Sequence, residues 1–288
     1  MNKILILGST GLLGSTLLKY FSKKKNFQCF GAIRKDLDID KLKNIKNIKL
    51  YKINYNNKKN ILKIFNEIKP DLIINCIGVV KQITHKKKLS EIVKVNSFFP
   101  HYLAELISLQ KKIRLIHFST DCVFLGQKGN YKEDDLPDAH DIYGRSKLLG
   151  ELSYRNTLTL RTSIIGHELE TNYSLLNWFL SQKKSIEGYK NAFFSGLSAL
   201  EVANFLDKFI IPNKKIEGIF HLSGKVISKY NLLNLIKVVY KKDIKININR
   251  KMKIDRSLNS NSLKRITGYK PKSWNKIIKE MFEFNNFK

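Results

Sequence analysis

Residues 3–21, KILILGSTGLLGSTLLKYF, decide the fold. After Lys3, the apolar run Ile4 to Leu7 reads as a short buried strand. Gly8, Ser9, Thr10, Gly11, Leu12, Leu13 and Gly14 follow at once, and Leu13, Leu17, Leu18 and Phe21 recur at helical spacing. Strand, glycine turn and helix in that order make a cradle for a pyrophosphate. Glycines let the backbone turn sharply and come close, and the helix N-terminus favours the anion. The spacing is G-x-x-G-x-x-G rather than G-x-G-x-x-G, and no Lys-Ser/Thr pair closes it in the P-loop manner. These seven residues are the candidate cofactor turn.

Working outward, the alternation continues. Phe27 to Ile33 reads as a second strand, and Arg34 follows it, where a dinucleotide fold reads the adenosine ribose. A basic residue there accommodates a 2′-phosphate, so Arg34 points to NADPH; Asp36 and Asp38 nearby keep NADH open. Ile48 to Ile53 is a third strand, and Lys58 to Ile68 an amphipathic helix ended by Pro70. Asp71 to Gly78 is a buried strand that places Cys76 and Gly78 beside the cofactor. Leu89 to Leu109 has helical spacing, with Asn96 inside it and a kink expected at Pro100. Ile113 to Phe118 is another strand, closing on Ser119 and Thr120. The fold class is therefore α/β, a Rossmann-type doubly wound parallel sheet with ligand sites at the carboxyl ends of its strands.

Beyond Leu158–Thr162, read as a strand, the pattern loosens. Ser174 to Leu180, Ala199 to Phe209 and Ser228 to Tyr240 read as helices, Gly218 to Leu222 as a strand, and the polar last 50 residues as carrying one helix near Trp274 to Phe284. This gives an NADP(H)-binding domain over 1–165 and a smaller substrate-binding portion over 166–288, interleaved with the first.

Composition bounds the partners. Fifty-three Lys and Arg against 24 Asp and Glu leave a net charge of +29. The lysines are spread along the chain, as solvated faces are, so neither nucleic acid nor membrane is expected as a partner. A positive field instead suits an anionic small substrate. Cys29, Cys76 and Cys122 lie far apart, which argues against a metal site or a disulfide framework and fits the cytoplasm. No apolar run is long enough to span a membrane, and the first residues do not read as a signal peptide.

Tyr-x-x-x-Lys occurs three times: Tyr20/Lys24, Tyr55/Lys59 and Tyr143/Lys147. In so lysine-rich a chain the pair alone means little. Only Tyr143 and Lys147 follow a strand that ends in a hydroxyl residue, Thr120, with a glycine turn upstream.

With these residues go Ser119-Thr120-Asp121-x-Val123-Phe124, Tyr131-x-Glu133-x-Asp135, Pro137, Tyr143-Gly-x-Ser-Lys147-x-x-Gly-Glu151 and Leu160-Arg161-Thr162-Ser163. The set resembles the extended short-chain dehydrogenase/reductases, nearest to the dTDP-4-dehydrorhamnose reductase type. The likeness covers the first 165 residues well and the remainder in outline. It implies that Tyr143 is a general acid, that Lys147 favours its phenolate and binds the nicotinamide ribose, and that Thr120 donates to the substrate oxygen. It further implies a nucleotide-diphosphate sugar substrate, a 4-keto-6-deoxy sugar used for surface polysaccharide, and by analogy a homodimer. Ser119, Tyr143 and Lys147 would touch the cofactor. Thr120, Asp121, Cys122, Val123, Ser163, His167 and Arg256 would line the substrate.

Two departures concern the sugar. Cys122 stands where the rhamnose type has Tyr, and Ile164 where it has Trp. A Cys at that position resembles enzymes that epimerise and then reduce, with Cys122 and His167 moving protons beside the ketone. A third alternative is an NADP(H)-binding regulatory subunit without catalysis.

Overall fold

The computed structural model describes residues 2–108 and 113–286. By its internal contacts the chain forms two compact units, each assembled from separate stretches. The first takes Met1–Ser119, Asp141–Leu160 and Ile211–Ile219; the second takes Thr120–His140, Arg161–Ile210 and Phe220–Lys288. No helix among the described residues is long and apolar enough to cross a membrane.

A seven-stranded sheet organises the fold. Strands β1 (Asn2–Leu7), β2 (Phe27–Ile33) and β3 (Ile48–Lys52) step outward on one side. Then β4 (Leu72–Asn75) returns to the other side of β1 and is followed outward by β5 (Arg114–Ser119), β6 (Thr157–Arg161) and the strand Gly218–His221. β1 runs parallel to both β2 and β4, with Leu7 opposite Ala32 on one side and Asn75 on the other. The strand order therefore reverses between β1 and β4, and such a reversal opens a crevice at the carboxyl ends of the strands.

The helices around this sheet follow from local sequence. α1 (Leu12–Phe21) buries Leu13, Leu17, Leu18 and Phe21, the residues at helical spacing. α2 (Asp38–Leu42) is a short turn after β2. α3 (Lys58–Ile68) starts where the Asn57 side chain accepts the Asn60 N–H, and it ends with Lys69 in the left-handed region ahead of Pro70. Its buried stripe of Ile61, Ile64, Phe65 and Ile68 packs with Leu5, Leu7, Ile73 and Leu103 into one core.

The helix expected over 89–109 comes in two parts, α4 (Leu89–Val93) and α5 (Phe99–Ser108), joined by a π-helical turn over Lys94–Phe98. Leu109 lies outside the described residues. Pro100 has no N–H to give back to the turn before it, so the irregularity falls there, on Asn96. α6 (Ile142–Leu148) is capped by Asp141, whose carboxylate accepts the Gly144 N–H.

The second unit departs from the sequence reading. Two long strands, Ile186–Phe194 and Ile246–Asp255, lie parallel in a sheet with the short strand Ile227–Ser228. Neither long strand is visible as an apolar run, because Glu, Lys and Asn interrupt IEGYKNAFF and Asn, Arg and Lys interrupt ININRKMKID. A further helix, Asn261–Thr267, precedes the terminal one, Trp274–Asn286. The expected helices α7 (Leu175–Ser181), α8 (Ala199–Phe205) and α9 (Lys229–Val239) are present, each started by a serine side chain: Ser174, Ser198 and Ser228.

Candidate active site

In the first unit the glycine turn lies at the strand reversal. Gly8 has φ +76°, and a Cβ there would stand 3.0 Å from the Cys76 carbonyl. A Cβ on Gly14 would overlap the carbonyl oxygen of Gly8. α1 begins after Gly11 with no side chain capping it and no acidic residue in its first turn. Its leading N–H groups therefore suit an anion, and the turn fits a dinucleotide pyrophosphate. Ser9 is fully buried and gives its hydroxyl to the Ile6 carbonyl, 2.8 Å away, so its side chain shapes the turn.

After β2, Asp38 is occupied locally. Its carboxylate accepts the backbone N–H groups of Arg34 and Lys35 and pairs with Lys41 at 2.8 Å. Burial alone would raise its pKa, but these partners outweigh it and hold the carboxyl below the ordinary range. Asp36 pairs with Lys52 at 2.6 Å. The Arg34 side chain is exposed.

Lys147 is the most constrained charge of this unit. It is 6% exposed, and its Nζ donates to the Phe118 carbonyl at 2.6 Å, at the end of β5. Burial lowers its pKa to about 8, while Glu151 and Cys76 pull the other way. Ser119 donates to the Glu151 carboxylate at 2.6 Å, and burial pushes the Cys76 thiol up. Tyr143 is half-buried one turn before Lys147, on the same face of α6. α6 is tied down from below. Asn96 clamps both backbone groups of Val79, accepting at 2.7 Å and donating at 3.1 Å, and also donates to Ser146 at 3.1 Å. Ser97 donates to the Ser146 carbonyl at 2.8 Å.

In the second unit Thr120 begins a tight turn over Asp121–Val123. Its hydroxyl accepts the Cys122 N–H at 3.1 Å and donates to Asp121 at 3.2 Å. Val123 is fully buried, so its side chain belongs to the core and only its backbone borders the turn. Arg256 reaches this turn, its Nε donating to the Phe124 carbonyl at 2.8 Å. The Tyr131 hydroxyl accepts the N–H groups of Gly126, Gln127 and Lys128 while its ring stacks on Phe124 at 4.2 Å. Glu133 accepts the His221 N–H. The Tyr131 and Glu133 motif residues thus act as scaffolding.

A family model, RmlD substrate binding domain, matches residues 1–286. This chain belongs to that family. It is an extended short-chain dehydrogenase/reductase of the dTDP-4-dehydrorhamnose reductase type. It is 28% identical over 236 residues to the dTDP-4-dehydrorhamnose reductase of Aggregatibacter actinomycetemcomitans, across 78% of this chain and 74% of that one. The dTDP-4-dehydrorhamnose reductase of Bacillus anthracis str. Ames, solved in complex with NADP, shares the fold with a TM-score of 0.79 at 18% identity, covering 98% of this chain and 99% of that one. The dTDP-glucose 4,6-dehydratase of the same organism, solved in complex with NAD, gives 0.80 at 16% identity, covering 99% and 96%. Structural neighbours thus bind either dinucleotide.

Among the substrate-side residues of this RmlD-type chain, Thr120, Asp121, Cys122 and Arg256 come together at one turn. Ser163 contributes backbone, its carbonyl accepting the Leu197 N–H at 2.9 Å. His167 bonds the Tyr240 hydroxyl at 2.8 Å, just past the last residue of α9. A charge that acts on both Asp121 and Cys122 is Lys229, the first residue of α9, which the sequence reading passed over. Its ammonium lies 4.3 Å from the centroid of the buried Phe194 ring. Burial lowers its pKa, Asp121 and Cys122 oppose that, and Arg256 adds to it. The backbones of Lys229 and Tyr240 are about 16 Å apart along the helix. His167 is thus tied to one end of α9, and the charge that acts on Cys122 stands at the other. Lys229 had no local signal: it is one of 53 basic residues.

Proposed function

We propose that the chain reduces the 4-keto group of a 6-deoxy nucleotide sugar with NADPH, in the making of surface polysaccharide. The observation that carries this reading is the desolvated Lys147 ammonium, fixed to the Phe118 carbonyl one helical turn after Tyr143. When bound, the nicotinamide supplies the hydride. Tyr143 gives its proton to the carbonyl oxygen. A tyrosine in water titrates near 10, and the adjacent ammonium favours the phenolate left behind. Lys147 also binds the nicotinamide ribose, and Thr120 donates a hydrogen bond to the substrate oxygen.

Two features support NADPH over NADH. The acids after β2 are engaged, Asp38 on the backbone of Arg34 and Lys35 and Asp36 on Lys52, and Arg34 is exposed. On the substrate side, Lys229 and Arg256 bring two positive charges to the Thr120–Phe124 turn, which suits the diphosphate. NADPH oxidation against a panel of 4-keto-6-deoxy nucleotide sugars tests the reading. Turnover of one member with formation of the 4-hydroxy sugar is expected; cofactor binding without turnover of any member refutes it and favours a regulatory subunit.

A further inference from the structure

One buried pair has no place in that mechanism. Asn75 ends β4, His117 lies opposite it in β5, and they are 1% and 0% exposed. The Asn75 Oδ1 accepts the Ile77 N–H at 3.1 Å, and Nδ2 faces the His117 Nδ1 at 3.2 Å. A backbone N–H can only donate, so it fixes which way the amide points. Nδ2 then donates to the imidazole, whose Nδ1 must accept. The ring is neutral, with its proton on Nε2. Burial, Lys147 and His101 all act against a second proton. Nε2 has no hydrogen-bond partner among the described residues. A leucine would fill this space without leaving a buried donor unmet. What the imidazole adds is an acceptor for Asn75.

The consequence lies in the turn after β4. Cys76 to Gly78 hangs between two amides: Asn75 holds Ile77 and Asn96 holds Val79. The same turn meets Gly8 at the strand reversal. In doubly wound folds the adenosine end lies beyond β2, so the β4 and β5 side receives the other half of the dinucleotide. We propose that His117 is a positioning residue: by accepting from Asn75 it orients the amide that sets the Cys76–Gly78 turn for the nicotinamide half of the cofactor. This rests on the functional reading only in taking the cofactor to be a nicotinamide dinucleotide.

Binding isotherms for NADPH and for 2′,5′-ADP, which carries only the adenosine end, test it without turnover. His117→Leu should raise the NADPH Kd about tenfold while the 2′,5′-ADP Kd stays within about twofold. His117→Gln, whose Oε1 can accept from Asn75, should bring NADPH binding back towards wild type. Unchanged NADPH binding in His117→Leu overturns the proposal. So does equal weakening of both ligands, or a Gln variant as impaired as the Leu one. Should His117→Leu not fold, 15N spectra of the wild-type histidines decide. A neutral Nε2–H ring from pH 5.5 to 8 is expected, and a ring that protonates in that range or carries its proton on Nδ1 overturns the proposal. Wild-type protein that binds neither NADPH nor NADH would instead refute the cofactor reading, and the spectra would still judge the Asn75–His117 bond.

Discussion

Tyr20/Lys24 and Tyr143/Lys147 share one spacing and one structural unit, and they have little else in common. Tyr20 is a core residue, 8% exposed, set edge-on to Phe21 at 5.2 Å. Lys24 lies past the end of α1 with its ammonium 5.0 Å over the Tyr20 ring. The phenol of that pair is buried and the lysine half-buried. At α6 the arrangement is inverted: Lys147 is buried on a strand-end carbonyl, and Tyr143 is half-buried. Tyr55, of the third pair, is half-buried and packs edge-on to the core residue Phe99 at 5.7 Å. The spacing is common property; a desolvated ammonium beside a reachable phenol is particular to α6.

The sharpest way to break this comparison is to remove one phenolic oxygen from each pair. Tyr143→Phe should lower kcat by about a thousandfold, the loss of a positioned general acid, with NADPH binding retained. Tyr20→Phe should leave kcat within about twofold. Steady-state rates on the same substrate decide, and equal effects of the two changes would mean that the α6 pair is not the catalytic one.

The next largest effect concerns the lysine. Lys147→Met should cost about a hundredfold in kcat/KM, and Lys24→Met nothing measurable. In wild type kcat/KM should fall as pH rises through about 8, where the ammonium is lost, and Lys147→Arg should carry that limb to higher pH. Stability moves the other way. A lysine whose folded pKa lies below its unfolded value is costly when charged. That cost is in full force below about pH 8 and is relieved as pH rises towards the unfolded value. Thermal melts should therefore show wild type gaining on Lys147→Met between pH 8 and 10.

The second unit supplies a smaller effect of the same kind. Lys229→Met removes a half-buried ammonium near the Thr120 turn and should raise KM for the sugar nucleotide about tenfold, leaving the NADPH Kd unchanged. A rise in both constants would show a structural fault rather than a lost ligand contact.

These contrasts also explain what could be read from the sequence. The glycine turn was legible because its demands are local: a positive φ at Gly8 and close packing at Gly14 admit few residues. α3 was legible because a cap, an apolar stripe and a proline all fall within fourteen residues, Asn57–Pro70. The strands Ile186–Phe194 and Ile246–Asp255 were hidden because polar residues break their apolar pattern: Glu187, Lys190 and Asn191 in the first, Asn247, Asn249, Arg250, Lys251 and Lys253 in the second. The strand-end polar pair Asn75 and His117 was hidden because its meaning needs the register of β4 on β5. Lys229 was hidden because charge becomes informative only where burial makes it expensive, and burial is a property of the fold.

The smallest effect separates His167 from Cys122. A thiol and an imidazole that move protons at the carbon beside a ketone must both reach that carbon. Here the imidazole bonds the hydroxyl of Tyr240 at one end of α9, and the thiol lies in the field of Lys229 at the other. Tyr240 is itself set edge-on to Phe282 at 4.9 Å, and burial pushes its pKa up, so it holds its proton and stays a neutral partner for the ring. His167→Ala should therefore change kcat/KM by less than about threefold, and product formed in deuterated water should carry no solvent deuterium on the carbons flanking the reduced one. Deuterium at either carbon, lost in both His167→Ala and Cys122→Ser, would restore the epimerising reading and require that the His167 ring leave Tyr240 during turnover.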